Sequence, residues 1–345
     1  MTGAVLPGDR KVEVREYEVP EPGPGQVLVA MRASGLCGSD LRAIYRPTQQ
    51  GHGPEAYRGV IAGHEPAGQI AALGPGVTDW LVGDRVLLYH IAGCGECEDC
   101  RSGWMISCTS PARAAYGWQR DGGHADFILA EVRTLVRLDE PLSYVDGALV
   151  ACGFGTAYAG CLRGGVGEGQ TVVISGMGPV GLGAAMIARA IGARVLAVEA
   201  SPARLEMARA AGADEVVAAG QAAEEAIRDL TGGRGADVSI DCSAAEAARR
   251  LTLAVTRRWG TVVWLGEGGT FTFEPSPLLI HQQLSLLGSW VCSIQQMTEL
   301  VGRLVEWQVR PETIVTHRFL LDQVAEAYRR FDTGDTGKVV LTWPG

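Results

Sequence analysis

One stretch limits the possible folds more than any other: Thr171-Val-Val-Ile-Ser-Gly176-Met-Gly178-Pro179-Val180-Gly181-Leu-Gly183. An apolar strand runs into G-x-G-x-x-G, and an apolar helical pattern follows over Pro179–Ile191. A lone G-x-G-x-x-G is weak evidence; between a strand and a helix it is specific for a dinucleotide-binding turn. Gly176 suits the tight turn, Gly178 lets the backbone approach a pyrophosphate, and Gly181 permits close helix packing. The helix N-terminus then faces the phosphates. Glu199 ends the next predicted strand, 23 residues after Gly176. Its carboxylate suits the adenosine ribose hydroxyls and repels a 2′-phosphate, which favours NAD over NADP.

The same texture continues to about residue 270. Strands are expected at Thr171–Ser175, Arg194–Glu199, 215–217, 238–241 and 261–265. A helix opens at Ser201-Pro202 and stops at Gly212, with Ser201 as its cap. Alternation of this kind implies an α/β domain with a parallel sheet covered on both faces. Residues 1–150 differ: short apolar runs such as 27–30 and 85–89 stand between Gly and Pro clusters, which is β-rich punctuation. Residues 72–86 read as strand, turn, strand. Two amphipathic helices are expected at 296–307 and 321–333, then a last strand over Lys338–Thr342. With 345 residues, two domains are expected.

Nine cysteines lie at 37, 94, 97, 100, 108, 152, 161, 242 and 292. Four form Cys94-x2-Cys97-x2-Cys100-x7-Cys108 in a Gly-containing loop, the donor set of a structural zinc. Four thiolates fill a tetrahedral shell and leave no position for substrate. Disulfides are the alternative, but they belong to export, and Met1-Thr2-Gly3-Ala4-Val5-Leu6-Pro7 has no basic segment followed by an apolar one. No run of about 18 apolar residues suggests a membrane span. Net charge of −9 argues against a nucleic-acid partner. A cytoplasmic location is expected.

Three further segments carry metal-ligand residue types: Gly35-Leu36-Cys37-Gly38-Ser39-Asp40, Gly63-His64-Glu65, and Ala151-Cys152-Gly153-Phe154-Gly155-Thr156. Spacing alone does not connect them. Their order, with the four-cysteine loop and the glycine fingerprint, resembles the zinc-containing medium-chain alcohol dehydrogenases over nearly the whole chain. That resemblance implies a GroES-like catalytic domain, at 1–151 and 290–345, and a Rossmann NAD-binding domain at 152–289, with the active cleft between them. It implies two zinc ions: a catalytic one on Cys37, His64 and Cys152 with an open fourth position, and a structural one on Cys94, Cys97, Cys100 and Cys108. A bound alcohol then loses its proton more readily and yields hydride to NAD.

By the same resemblance, Asp40 accepts the second ring N–H of His64, and Glu65 approaches the metal during ligand exchange or is a neighbouring charge. Ser39 takes the substrate proton. Relatives pass it on to a His three positions later; here that residue is Arg42, which cannot carry protons near neutral pH. Water or His52 is left as the exit. Thr156, Leu265, Gly266 and Lys338 match positions near the nicotinamide or pyrophosphate, and Arg204 matches a basic position near the ribose. Their alternative is packing.

The substrate is expected to be a small alcohol or carbonyl compound. His90, beside Tyr89, stands where simple-alcohol enzymes are apolar, which suggests a polyol, sugar or cyclitol, or else a side chain turned into the cysteine loop. Relatives specialised for polyols commonly have a Glu ligand where Ala151 stands, which pulls the other way. Trp290 is either a border of the nicotinamide end or a core residue. A zinc-free enone or quinone reductase and a non-enzymatic nucleotide-binding protein are the rival readings. A homodimer or homotetramer is expected.

Overall fold

The computed structural model describes residues 1–53 and 55–344, in two compact units. One comprises Met1–Gly155 with Cys292–Gly345, the other Thr156–Val291.

The second unit is built on six parallel strands in the spatial order Glu215–Ala218, Arg194–Glu199, Thr171–Ser175, Ala236–Asp241, Thr256–Trp264, Ser285–Gly288. Numbered along the chain this is 3-2-1-4-5-6, the doubly wound order with its switch point between Thr171–Ser175 and Ala236–Asp241. Val172, Val173, Ile174, Val195, Leu196, Ala197 and Val198 are all buried. A parallel sheet covered on both faces needs such unbroken apolar runs in place of alternation. The helix Pro179–Ile191 has proline in its first turn and ends at Gly192, whose φ of +98° only glycine adopts freely. The helix Pro202–Ala210 follows Ser201 as expected, but the Ser201 hydroxyl makes no capping bond. Its backbone amide is instead held by Glu199 Oε1 at 3.0 Å. The strand Ser285–Gly288 has no clear signature in the sequence, because its partly exposed residues at a sheet edge lack a continuous apolar run.

The first unit carries a mixed sheet in the order Val315–Phe319, Lys338–Thr342, Gln26–Gly35, Glu65–Leu73, Arg85–Leu88, Leu135–Arg137. Phe127–Glu131 pairs with the start of Gln26–Gly35. The last strand of the chain therefore lies beside one of the first, and Gly35 is aligned with Val340 on one side and Glu65 on the other. Residues 72–86 hold the end of one strand and the start of the next, antiparallel to it. The helix Ile294–Glu306 starts with a full capping box, Ser293 with Gln296.

A continuous helical run, Tyr144–Gly164, has no clear helical signature in the sequence. Glycines at 147, 153, 155, 160 and 164 obscure its periodicity, yet Gly147 and Gly155 let Leu138 and the Cys292 sulfur pack against it. By length and composition it is apolar enough to cross a membrane, but 83% of its most apolar window is buried within the protein. It is a core helix.

Candidate active site

Three distant segments converge in the first unit. Cys37 leaves the strand Gln26–Gly35 in extended conformation and caps the turn Gly38–Asp40, which continues into a π-helical turn, Leu41–Tyr45. His64 immediately precedes the strand Glu65–Leu73. Cys152 sits in the π-helical segment Val150–Phe154 of the core helix; π-turns within helices are often functional. One ligand atom from each of Cys37, His64, Glu65 and Cys152 lies within 4.8 Å of all the others. The two sulfurs are 4.0 Å apart. Two Zn–S bonds of about 2.3 Å at a tetrahedral angle span roughly 3.8 Å, whereas a disulfide needs about 2.05 Å. The donor set and its spacing fit a zinc ion.

The shell around these groups is ordered. His64 Nδ1–H donates to Asp40 Oδ1 at 2.9 Å, which leaves Nε2 as the free ligand atom. Trp118 Nε1–H donates to the same Asp40 oxygen at 3.0 Å. The Cys37 thiol is held well below its ordinary range by a hydrogen bond from Cys152, against desolvation and with help from His64; a thiolate is the form that binds metal. Glu65 is fully buried and paired with Lys338 Nζ, at 2.6 Å to Oε1 and 2.5 Å to Oε2. Lys338 is 1% exposed. Its ammonium, expected near the cofactor, is thus committed to Glu65. A Cβ on Gly35 would lie 1.9 Å from Glu65 Oε2 and 2.9 Å from Lys338 Cε, so only glycine there lets the lysine cross to the carboxylate.

His90 is buried and turned toward this cluster, with its ring centroid 5.3 Å from that of His64. Its Nδ1–H donates to the Ala151 carbonyl at 2.8 Å. Burial, with the charge of His64 nearby, lowers its pKa to about 4. The ring is therefore neutral near pH 7, and Nε2 carries a lone pair. Tyr89 is buried, with its hydroxyl on the Cys292 carbonyl at 2.7 Å. Ser39 is half-buried on the turn after Cys37; Arg42 and His52 are exposed.

Cys94, Cys97, Cys100 and Cys108 form a second group of ligand atoms within 4.8 Å of one another. The amides of Glu96 and Cys97 both donate to Cys94 Sγ at 3.4 Å. Those bonds, Cys97 first, bring the Cys94 thiol down to about 6. Gly93 packs against the Cys100 sulfur. This set also fits zinc, with every thiol used.

In the second unit, Gly176 has φ of +91°, and a Cβ on Gly181 would lie 1.8 Å from the Gly176 carbonyl oxygen. The space beside Gly178, at the N-terminus of Pro179–Ile191, is open; Pro179 and Val180 form the half-buried first turn. Glu199 accepts from the Met177 amide at 2.7 Å through Oε2, and from the amides of Ala200 and Ser201 through Oε1. The carboxylate thereby ties the glycine loop to the next turn. Arg204 is half-buried, and its Nε is buried without a hydrogen-bond partner. Leu265 and Gly266 follow the strand Thr256–Trp264, and Thr156 lies one helical turn after Cys152. An open glycine cradle beside a carboxylate and an orphaned guanidinium nitrogen fits a dinucleotide. Trp290 is 51% exposed, which excludes the core reading.

The alcohol dehydrogenase GroES-like domain family matches residues 23–140, and the zinc-binding dehydrogenase family matches residues 179–306. The zinc-type alcohol dehydrogenase-like protein YphC of Escherichia coli K12 is 47% identical, over 100% of this chain and 99% of its own. The chain belongs to the zinc-dependent medium-chain alcohol dehydrogenase family. It is an NAD-linked, zinc-dependent oxidoreductase that acts on alcohols. A sorbitol dehydrogenase of Halalkalibacterium halodurans is 32% identical over 95% of each chain. Among solved structures, the alcohol dehydrogenase rspB of Escherichia coli CFT073, in complex with NADH, has a TM-score of 0.88 at 25% identity over 99% of each chain. Within this alcohol dehydrogenase, Trp118 carries no motif, and neither does the buried chain in which Ser34 Oγ bonds His124 Nδ1 and His124 Nε2 bonds the Tyr328 hydroxyl. Only the pairing of distant strands brings them beside Gly63 and Asp40.

Proposed function

We propose that this dehydrogenase oxidises a secondary alcohol carrying neighbouring polar groups, such as a polyol, sugar or cyclitol, to the ketone, with NAD as acceptor. The observation that carries the substrate class is His90, a buried neutral imidazole beside His64 with Nδ1 tied to Ala151. Its remaining lone pair suits a second substrate hydroxyl; an apolar side chain there would leave that hydroxyl unsatisfied. Similarity to a sorbitol dehydrogenase supports the same class.

In this reading Cys37, His64 and Cys152 hold the catalytic zinc, and Cys94, Cys97, Cys100 and Cys108 a second, structural one. Bound zinc supplies Lewis acidity that eases loss of the alcohol proton, and NAD accepts the hydride. Asp40, braced by Trp118, holds the proton on His64 Nδ1 and fixes the ring. The Ser39 hydroxyl relays the substrate proton, accepting it as its own proton passes to water or His52, because Arg42 cannot carry it. Lys338 holds the Glu65 carboxylate beside the ligands. Gly176, Gly178, Pro179, Val180 and Gly181 seat the pyrophosphate on a helix N-terminus. Glu199 selects NAD through the ribose hydroxyls, with Arg204 beside it, while Thr156, Leu265 and Gly266 serve the nicotinamide end.

Cysteines that hold metal and form no disulfide among the described residues suit the reducing cytoplasm. Exposed Trp259 and Trp290 on the second unit suit a homodimer or homotetramer.

The test combines metal analysis with a screen of alcohols, polyols and aminocyclitols, read by NADH absorbance. Two zinc per chain and turnover of polyols above simple alcohols are expected, with activity abolished by Cys37→Ser or His64→Ala. One zinc per chain, in the cysteine loop, would favour the zinc-free reductase. Preference for unsubstituted alcohols would remove the role given to His90.

A further inference from the structure

Three loops at the carboxyl edge of the parallel sheet interlock through two side chains with no assigned role. Asp241 ends the central strand Ala236–Asp241 and is fully buried. Its Oδ1 accepts from the Ser243 amide at 2.9 Å and the Ser243 hydroxyl at 2.8 Å, and its Oδ2 from the Ala244 amide at 3.1 Å. These bonds hold Ala244 at φ of +64°, a left-handed conformation unfavourable for a non-glycine residue. Strain at such a position persists only where surrounding contacts over-determine it.

Arg249 performs the same service for the neighbouring loop. Its side chain is 11% exposed, and its Nε lies 3.6 Å from Asp241 Oδ2. Its Nη2 donates to the carbonyls of Gly266 at 2.9 Å and Gly268 at 3.0 Å, and its guanidinium lies over Trp264 at 5.3 Å. The backbone carbonyl of Asp241 accepts from the amides of Leu265 and Gly266. The turn held by Asp241 is wedged between glycines. A Cβ on Gly176 would meet Ser243 Cβ at 2.7 Å, and one on Gly266 would meet the Ala244 nitrogen at 2.2 Å. A shift of either loop is therefore felt at the first fingerprint glycine.

We infer that Asp241 and Arg249 are a positioning pair that presets the nicotinamide half of the cofactor crevice by locking the turn 241–244 to the loop 265–269 and to Gly176. The inference rests on the NAD-binding reading above. Its polarity comes from the sheet order. Glu199 lies on one side of the fingerprint strand and Asp241 on the other, so the adenosine half belongs to the Glu199 side and the nicotinamide half to the Asp241 side. Preset loops spare the cofactor the cost of ordering them on binding.

The test compares wild type, Arg249→Lys, Arg249→Met and Asp241→Asn as zinc-loaded proteins. NADH affinity is read by fluorescence, ADP-ribose affinity by calorimetry, and amide exchange over residues 243–245 and 265–269 by mass spectrometry. Arg249→Met should weaken NADH about tenfold and ADP-ribose by no more than about threefold, the part passed through Gly176 to the shared pyrophosphate, with faster exchange in both loops. Arg249→Lys should recover part of the loss, because an ammonium still reaches one carbonyl. Asp241→Asn should act in the same direction; if it fails to fold, the Arg249 pair of variants decides. Unchanged NADH affinity in Arg249→Met overturns the inference, and so does parallel loss of NADH and ADP-ribose, which is general damage to the sheet. Failure of the wild type to bind NADH refutes the cofactor reading instead, and the exchange data still decide whether the pair locks the loops.

Discussion

Replacing Lys338 by methionine tests the electrostatic design beneath the proposed metal ligands. The Glu65 and Lys338 side chains are 0% and 2% exposed and contact each other at 2.5 Å. Methionine keeps much of the lysine stem, so packing over Gly35 survives while the ammonium is lost. Glu65 is then a buried carboxylate without its counter-ion, which costs roughly 3–5 kcal/mol. The double variant Lys338→Met with Glu65→Leu removes both charges; apolar replacement of a buried pair is often neutral or stabilising, so it should return to within about 1 kcal/mol of wild type. The two units need not unfold together, so a single melting curve is a poor readout. Peptide-resolved hydrogen exchange on the strand Glu65–Leu73, in reducing buffer with excess zinc, reports the first unit directly. At about 1.4 kcal/mol per tenfold, the single variant should speed exchange there by roughly a hundredfold or more. Burial already raises the Glu65 carboxyl to about 7, so less than a tenfold change would mean that it takes up a proton and that no ion pair is held there. A double variant as unstable as the single one would mean that Lys338 acts by packing and not by charge.

Glu199→Gln should lower kcat/KM with NAD about tenfold and narrow the NAD-to-NADP ratio by at least as much. It removes the charge that repels a 2′-phosphate, and it weakens the acceptor for Met177, Ala200 and Ser201; steady-state kinetics with both cofactors checks it. With the two zinc sites proposed above, Cys100→Ser should lose one zinc per chain and speed hydrogen exchange in the loop 93–108, while any residual activity retains the wild-type KM for alcohol. Asp237 provides a pH test. Burial alone would raise its pKa, but bonds from Arg234, the Thr171 amide and Arg257 bring it from 3.8 down to about 2. A depressed carboxylate stabilises the fold above its unfolded pKa and loses that contribution as pH falls through the folded one. The full shift corresponds to about 2.5 kcal/mol; with Arg234 58% exposed, screening leaves about 1–2 kcal/mol. Urea unfolding followed by hydrogen exchange of the strand Ala236–Asp241 should show Asp237→Asn destabilised by that amount at pH 7, the gap narrowing below about pH 4 and closing near about pH 2; a constant difference from pH 7 to pH 2 would refute the assignment.

Local chemistry made much of this protein legible before folding was considered. The strand Thr171–Ser175, the glycine turn and the helix Pro179–Ile191 are continuous in sequence, and each residue type answers a backbone demand within a few positions. The four cysteines of the loop lie within fifteen residues, so chain connectivity alone nearly closes their site. The short edge strand Ser285–Gly288 and the glycine-rich helix through Cys152 were not legible, since their stability comes from what packs on them and not from their own pattern. Cys37, His64 and Cys152 were nameable only by resemblance, because each alone reads as an ordinary core residue.

What the sequence determines by itself is therefore the set of groups: the thiols, the imidazoles, the glycines and the acidic residue that ends a strand. Tertiary structure alone decides which of them meet. Lys338 reaches Glu65 across 273 residues because the last strand pairs beside Gly35, and His90 turns to His64 because its Nδ1 finds the Ala151 carbonyl on another element. Hydrogen bonds and ion pairs act over about 3 Å. No pattern along the chain encodes such a distance between residues so far apart until the sheets have fixed their registers.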